Sequence, residues 1–77
     1  MKIEDIDAVL ARMIPSEKDE EIKGMIRNAK KLCRRKEYVA AYWILQAFTL
    51  GHTLRDDKAE VVLQKIIPIM DALYAGV

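Results

Sequence analysis

Apolar residues recur along this chain at intervals of three and four, and no stretch alternates apolar with polar as a half-buried strand would. At about 100° per residue, Ile3, Ile6, Val9, Leu10, Met13 and Ile14 fall within roughly 140° of one another, leaving Glu4, Asp5, Asp7, Ala8, Ala11 and Arg12 elsewhere. This predicts an amphipathic helix over 3–14. Pro15 ends it, because the residue before a proline is pushed out of the α region. Ser16 is placed to cap a second helix over 17–35, with Asp19 able to reach back three residues on. The core stripe of that helix is Ile22, Met25, Ile26, Ala29 and Cys33, with Leu32 at its edge. Glu17, Glu20 and Glu21 at its start and Arg34, Arg35 and Lys36 at its end all suit the helix dipole. Gly24 costs about 1 kcal/mol inside a helix and projects opposite the stripe, so core packing does not explain it.

The stripe cannot continue coherently beyond Lys36, which places a tight break around Arg35 to Glu37. A third helix over 38–54 then reads YVAAYWILQAFTLGHTL, seventeen residues without a formal charge. Tyr38, Tyr42, Gln46, Thr49 and Thr53 gather into one strip of about 80°, the only direction suited to water. A helix apolar around the rest of its circumference reads as the centre of the domain or as a subunit interface. Ala40, Ala47 and Gly51 share a sector flanked by Trp43, Leu50 and Leu54 on one side and Ile44 and Phe48 on the other; the tightest helix crossing is expected there. The run is too short, and carries too many polar residues, for a membrane span. Asp57 can cap a fourth helix over 58–75, with Glu60 at its third position. Its apolar sector holds Ala59, Val62, Leu63, Ile66, Ile67, Ile69, Met70, Leu73 and Tyr74, with Glu60, Gln64, Lys65 and Asp71 outside it. Pro68 is expected to kink or split this helix, and Gly76 to stop it. The pattern predicts one all-α domain over 1–77, a compact antiparallel bundle of about four helices.

Composition narrows the setting. Seventy-seven residues lie near the size at which a single core leaves only about 3–5 kcal/mol of stability, so assembly is worth seeking. Cys33 is the one cysteine, which excludes an intramolecular disulfide and points to a reducing cytoplasm. The first fifteen residues carry acids among their apolar positions, unlike a signal peptide. Thirteen basic residues against twelve acidic leave a net charge of +1, so attraction to polyanions would need a local patch. Few Asn, Gln, Ser and Thr beside many Ile and charges of both signs hint at an archaeal or thermophilic source.

Candidate chemistry is sparse. His52 is the only histidine, which rules out a pair of imidazoles for metal binding or proton relay. Cys33 lies on a core stripe, where a cysteine is inert packing. The acids of DIDAV and DEE sit at helix starts, as solvated capping groups do. No catalytic residue, metal site or cofactor is predicted, and the chain reads as a non-enzyme. Lys23, Arg27, Lys30, Lys31 and Arg34 form a stripe along one side of the second helix, extended by Arg35, which could meet phosphates or an acidic protein. Helix-turn-helix readout of DNA is disfavoured, because the helix after the turn is almost wholly apolar.

The stretch NAKKLCRRKEYVAAYWILQAF has Tyr38 nine residues after Ala29, followed by Ala41 and Ala47. Over about residues 22–52 this resembles the helical hairpins of tetratricopeptide repeats and of microtubule-interacting-and-trafficking domains. It also resembles a small archaeal helical domain family of unknown function with an Ala-Lys…Gly-Asp-Tyr-Val signature. Lys36 stands where those families usually carry Gly, and the chain holds no second copy of the motif. The resemblance implies a scaffold that binds peptides or helices rather than one that performs chemistry. Sequence and resemblance together lead to a cytoplasmic interaction or assembly module that forms a homodimer or takes a helical partner, using helices three and four. Trp43, Leu50, Leu54, Ala40, Ala47 and Gly51 are the expected interface. The alternative is a weak, sequence-independent nucleic-acid binder using the basic stripe.

Overall fold

A computed structural model describes residues 1–52 and 57–76, the side chains of 52 and 57–59 excepted. A 3₁₀ turn over Ile3–Asp5 leads into α1 (Ile6–Met13), followed by α2 (Glu20–Arg34), α3 (Tyr38–His52) and α4 (Asp57–Gly76). No strand occurs among the described residues. Each helix packs on the next in sequence, α1 on α2, α2 on α3 and α3 on α4. The 3₁₀ turn lies against the end of α4, so closely that a Cβ at Gly76 would stand 2.5 Å from Ile3 Cδ1. The radius of gyration, 11.4 Å, is that of a closed globule of this length rather than an extended array.

α1 and α2 bury the stripes that their periodicity predicts: Ile6, Leu10 and Met13 on one, Ile22, Ile26, Ala29 and Cys33 on the other. Ile3, Val9, Ile14, Met25 and Leu32 pack half-buried around them. The cap of α2 differs from the sequence expectation. Ser16 donates its hydroxyl backwards to the Met13 carbonyl at 3.1 Å, tying down the end of α1. Asp19 is the N-cap instead: its Oδ1 accepts from the backbone N–H groups of Glu21 at 2.9 Å and Ile22 at 3.2 Å. Glu17 Oε1 accepts from the N–H groups of Lys18 and Asp19, so the residues expected to open the helix form a structured link before it.

The break around Arg35 to Glu37 is a helix C-cap built without glycine. Glu37 N–H donates to the Leu32 carbonyl at 2.9 Å and Lys36 N–H to that of Cys33 at 3.1 Å, the paired bonds of a Schellman motif. Lys36 takes the left-handed conformation this requires, with φ 60°. The hairpin turn therefore forms with Lys at a position that glycine most often takes.

The third helix departs most from its helical wheel. Ala41, Leu45 and Phe48 are buried, and the strip read as wet flanks them: Tyr38, Tyr42, Gln46 and Thr49 are half-buried. Thr49 donates its hydroxyl to the Leu45 carbonyl at 2.9 Å and also lies 3.6 Å from Met70 Sδ on α4. The expected tight crossing at Ala40, Ala47 and Gly51 does not occur among the described residues, where all three are exposed. Thr53 and Leu54 lie outside the described residues. α4 contributes Val62, Ile66, Ile69, Met70 and Leu73 to the core. It runs as one helix through Pro68, so it is not split; Pro68 itself is exposed.

Candidate functional site

Since α2 covers one flank of α3 and α4 the other, the sector centred opposite Leu45 is left outside. On a wheel this sector spans about 120°. It holds Val39, Ala40, Trp43, Ala47, Leu50 and Gly51, all exposed and none polar. Trp43 is 61% exposed and Leu50 63%, although both side chains are mainly apolar. Five of the six residues expected at an interface thus share one outer face, and the sixth, Leu54, lies outside the described residues.

The face continues onto α4 through aromatic contacts. Tyr42 meets Trp43 edge-on, with ring centroids 5.5 Å apart and planes at 80°, and meets Tyr74 at 6.0 Å and 47°. Val39, Tyr42, Trp43, Leu73 and Tyr74 line an open, almost wholly apolar groove of about 170 Å³ beside the α3 ridge. A second groove, between Tyr42, Gln46 and Thr49 of α3 and Ile67, Met70, Asp71 and Tyr74 of α4, is more polar. Sequence reasoning missed Val39 and placed Tyr74 in the core sector; the four- and seven-residue steps from Val39 through Trp43 to Leu50 were the available signal. Tyr74 is 75% exposed.

The basic stripe of α2 lies elsewhere, facing away from the core. Arg27, Lys30, Lys31 and Arg34 line one open groove together with Ile14 of the α1 end. Lys23 stands outside that lining and pairs with Glu20 at 3.7 Å, while Arg35 is the exposed C-cap of α2. Arg34 is shared with α1: its Nε lies 3.4 Å from each carboxylate oxygen of Asp7. Asp7 Oδ1 is buried and accepts no hydrogen bond, so this long ion pair is its electrostatic neighbour.

Cys33 sits beneath this corner, buried on the core side of α2. Burial pushes its thiol pKa up, and the negative charge of Asp7 adds to the rise. Such a thiol is held protonated and is a poor nucleophile. The side chain of His52 is outside the description. Among the described residues no three His, Cys, Asp or Glu side chains gather as a metal site, and no helix is long and apolar enough to cross a membrane. No protein-family model, curated protein or solved structure matches the chain.

Proposed function

We propose that the chain is a non-enzymatic interaction module that docks an apolar protein surface, its own or that of a helical partner, on α3 and the adjoining edge of α4. One observation carries this reading: Trp43 and Leu50 stand more than half exposed on a helix face that has no charged residue from Tyr38 to Gly51. Burial of apolar area is the main source of association energy, and Trp and Tyr are the commonest anchors of interfaces. An uncharged helix face also removes the desolvation cost that a charged one would carry.

Trp43 is the only tryptophan, so its emission reports on the face directly. Emission should shift to the blue when the protein is concentrated or when amphipathic helical peptides are added. Emission that stays at the position of a water-exposed indole under both conditions rejects the reading.

A second reading, binding of nucleic acid or another polyanion, is favoured by the convergence of Arg27, Lys30, Lys31 and Arg34 on one groove. Binding to random duplex or single strands should then fall steeply with salt, in proportion to the phosphates engaged. Absence of binding at low salt discards it.

A further inference from the structure

The exposed face of α3 has an internal order that bears on what covers it. Ala40 and Ala47 are seven residues apart, as are Trp43 and Leu50, which is the spacing of a two-position heptad seam. Large and small residues are distributed about residue 45. Trp43 and Ala47 lie two positions to either side, Ala40 and Leu50 five, Val39 and Gly51 six. In every pair one residue is large and the other small. If two such helices run antiparallel about a two-fold axis at the level of residue 45, each large side chain meets a small one.

We propose that the occupant of this face is a second copy of the chain, its α3 antiparallel to the first, so that Trp43 of each copy covers Ala47 of the other and Leu50 covers Ala40. This rests on the docking reading above and specifies its partner. A two-fold contact uses the same patch twice, so the patch must complement itself in size and charge. The pairing by size meets the first condition. The absence of charge from Tyr38 to Gly51 meets the second, since no like charges are brought together. Small residues at the seam let the axes approach to about 8 Å, at the crossing near 20° that heptad seams favour.

The area lies at the small end for a specific interface. Trp43 is 61% and Tyr74 75% exposed, and aromatic side chains present about 150–250 Å² each, so these two offer on the order of 300 Å². Val39 and Leu50, both more than half exposed, raise the patch to on the order of 500 Å² per copy, against about 800 Å² per partner in a standard interface. The exposed Ala40, Ala47 and Gly51 lie between these anchors and are covered with them. The groove lined by Val39, Tyr42, Trp43, Leu73 and Tyr74 borders the large-residue side of this seam.

Sedimentation velocity over a concentration series tests the assembly, and a charge pair tests its register. Ala47→Glu and Trp43→Lys each place one charge on an exposed position, so each should retain the helical circular dichroism of the parent. Each alone should weaken the dimer by roughly 30-fold or more, through an unpaired charge in the interface. Mixed in equal amounts, they should recover a heterodimer. One of its two Trp43–Ala47 layers is then native, and the other holds the new carboxylate against the new ammonium. A dimer unmoved by either substitution, or one that mixing does not restore, overturns the antiparallel pairing. A chain that remains monomeric at every concentration while helical peptides still shift Trp43 emission overturns the second copy and leaves the docking reading standing. Monomer with no peptide response overturns both.

Discussion

The ring of Tyr42 on α3 lies 6.0 Å from that of Tyr74 on α4, tilted by 47°, and this contact carries the outer face of one helix onto the next. Aromatic pairs contribute about 0.5–1.5 kcal/mol beyond their buried area. A double-mutant cycle with Tyr42→Leu and Tyr74→Ala, read by urea unfolding, should return a coupling in the lower part of that range, because Tyr74 is largely in water. A coupling of zero would show that the rings are neighbours without being partners.

Leu45 and Leu50 are five residues apart on one helix but meet opposite environments. Leu45 is fully buried among the core residues of all four helices, whereas Leu50 stands on the outer face. Leu45→Ala should lower unfolding free energy by about 2–5 kcal/mol. Leu50→Ala should leave it within about 0.5 kcal/mol at concentrations where the chain is monomeric. Chemical denaturation at low micromolar protein measures both.

Much of the fold follows from sequence because three of the helices are one-sided. The sequences of α1, α2 and α4 each set charges beside an apolar stripe, and charge has one direction to go. α3 has no charge, so its orientation rested on the hydroxyls of Tyr and Thr, which are poor guides. Thr49 satisfies its hydroxyl on the Leu45 carbonyl within its own helix, and so can face α4. Tyr38 and Tyr42 bury their rings in part against the core cluster. The wheel therefore identified Ala40, Trp43, Ala47, Leu50 and Gly51 as sharing a surface, but placed water on the opposite side. The choice between Ser16 and Asp19 as cap turned on a detail beyond periodicity: the Met13 carbonyl captures the Ser16 hydroxyl.

Lys36 is held at φ 60°, a region that costs residues with a Cβ on the order of 1 kcal/mol. Lys36→Gly relieves this and loses part of the gain to the freer unfolded chain. The net effect should be stabilising by about 0.5 kcal/mol, seen as a higher thermal midpoint. Lys36→Val should destabilise by more than that, since branching at Cβ suits this conformation least.

Gly24 lies mid-helix on α2 with nothing within 4 Å of where a Cβ would stand. Gly24→Ala should therefore stabilise by up to about 1 kcal/mol, or roughly 4–8 °C in a domain of this size. A neutral or negative shift in calorimetry would mean that the position serves a contact outside the chain.

The pH dependence has a definite sign. Burial first, and Asp7 second, raise the Cys33 thiol above its ordinary value of 9.0, so the folded chain keeps this proton to higher pH than the unfolded one. Its contribution to stability is complete below pH 9.0 and is lost as pH rises through the folded value. Unfolding free energy should fall from pH 9.0 upward and level off beyond the folded value, and Cys33→Ala should flatten the fall. At pH 8 a thiol reagent should react with native protein far more slowly than with unfolded protein.

Because each helix packs on its neighbour in sequence, almost all of this structure can be assembled over short stretches of chain. Chains dominated by such local contacts have low relative contact order and fold in microseconds to milliseconds. The packing of the 3₁₀ turn on α4, where Ile3 meets Gly76, closes nearly the whole chain and carries the largest loop-closure cost among the described contacts. The helical hairpins should form first and the seal between the 3₁₀ turn and α4 last. That seal is then also the part that opens first, at a lower free energy than global unfolding.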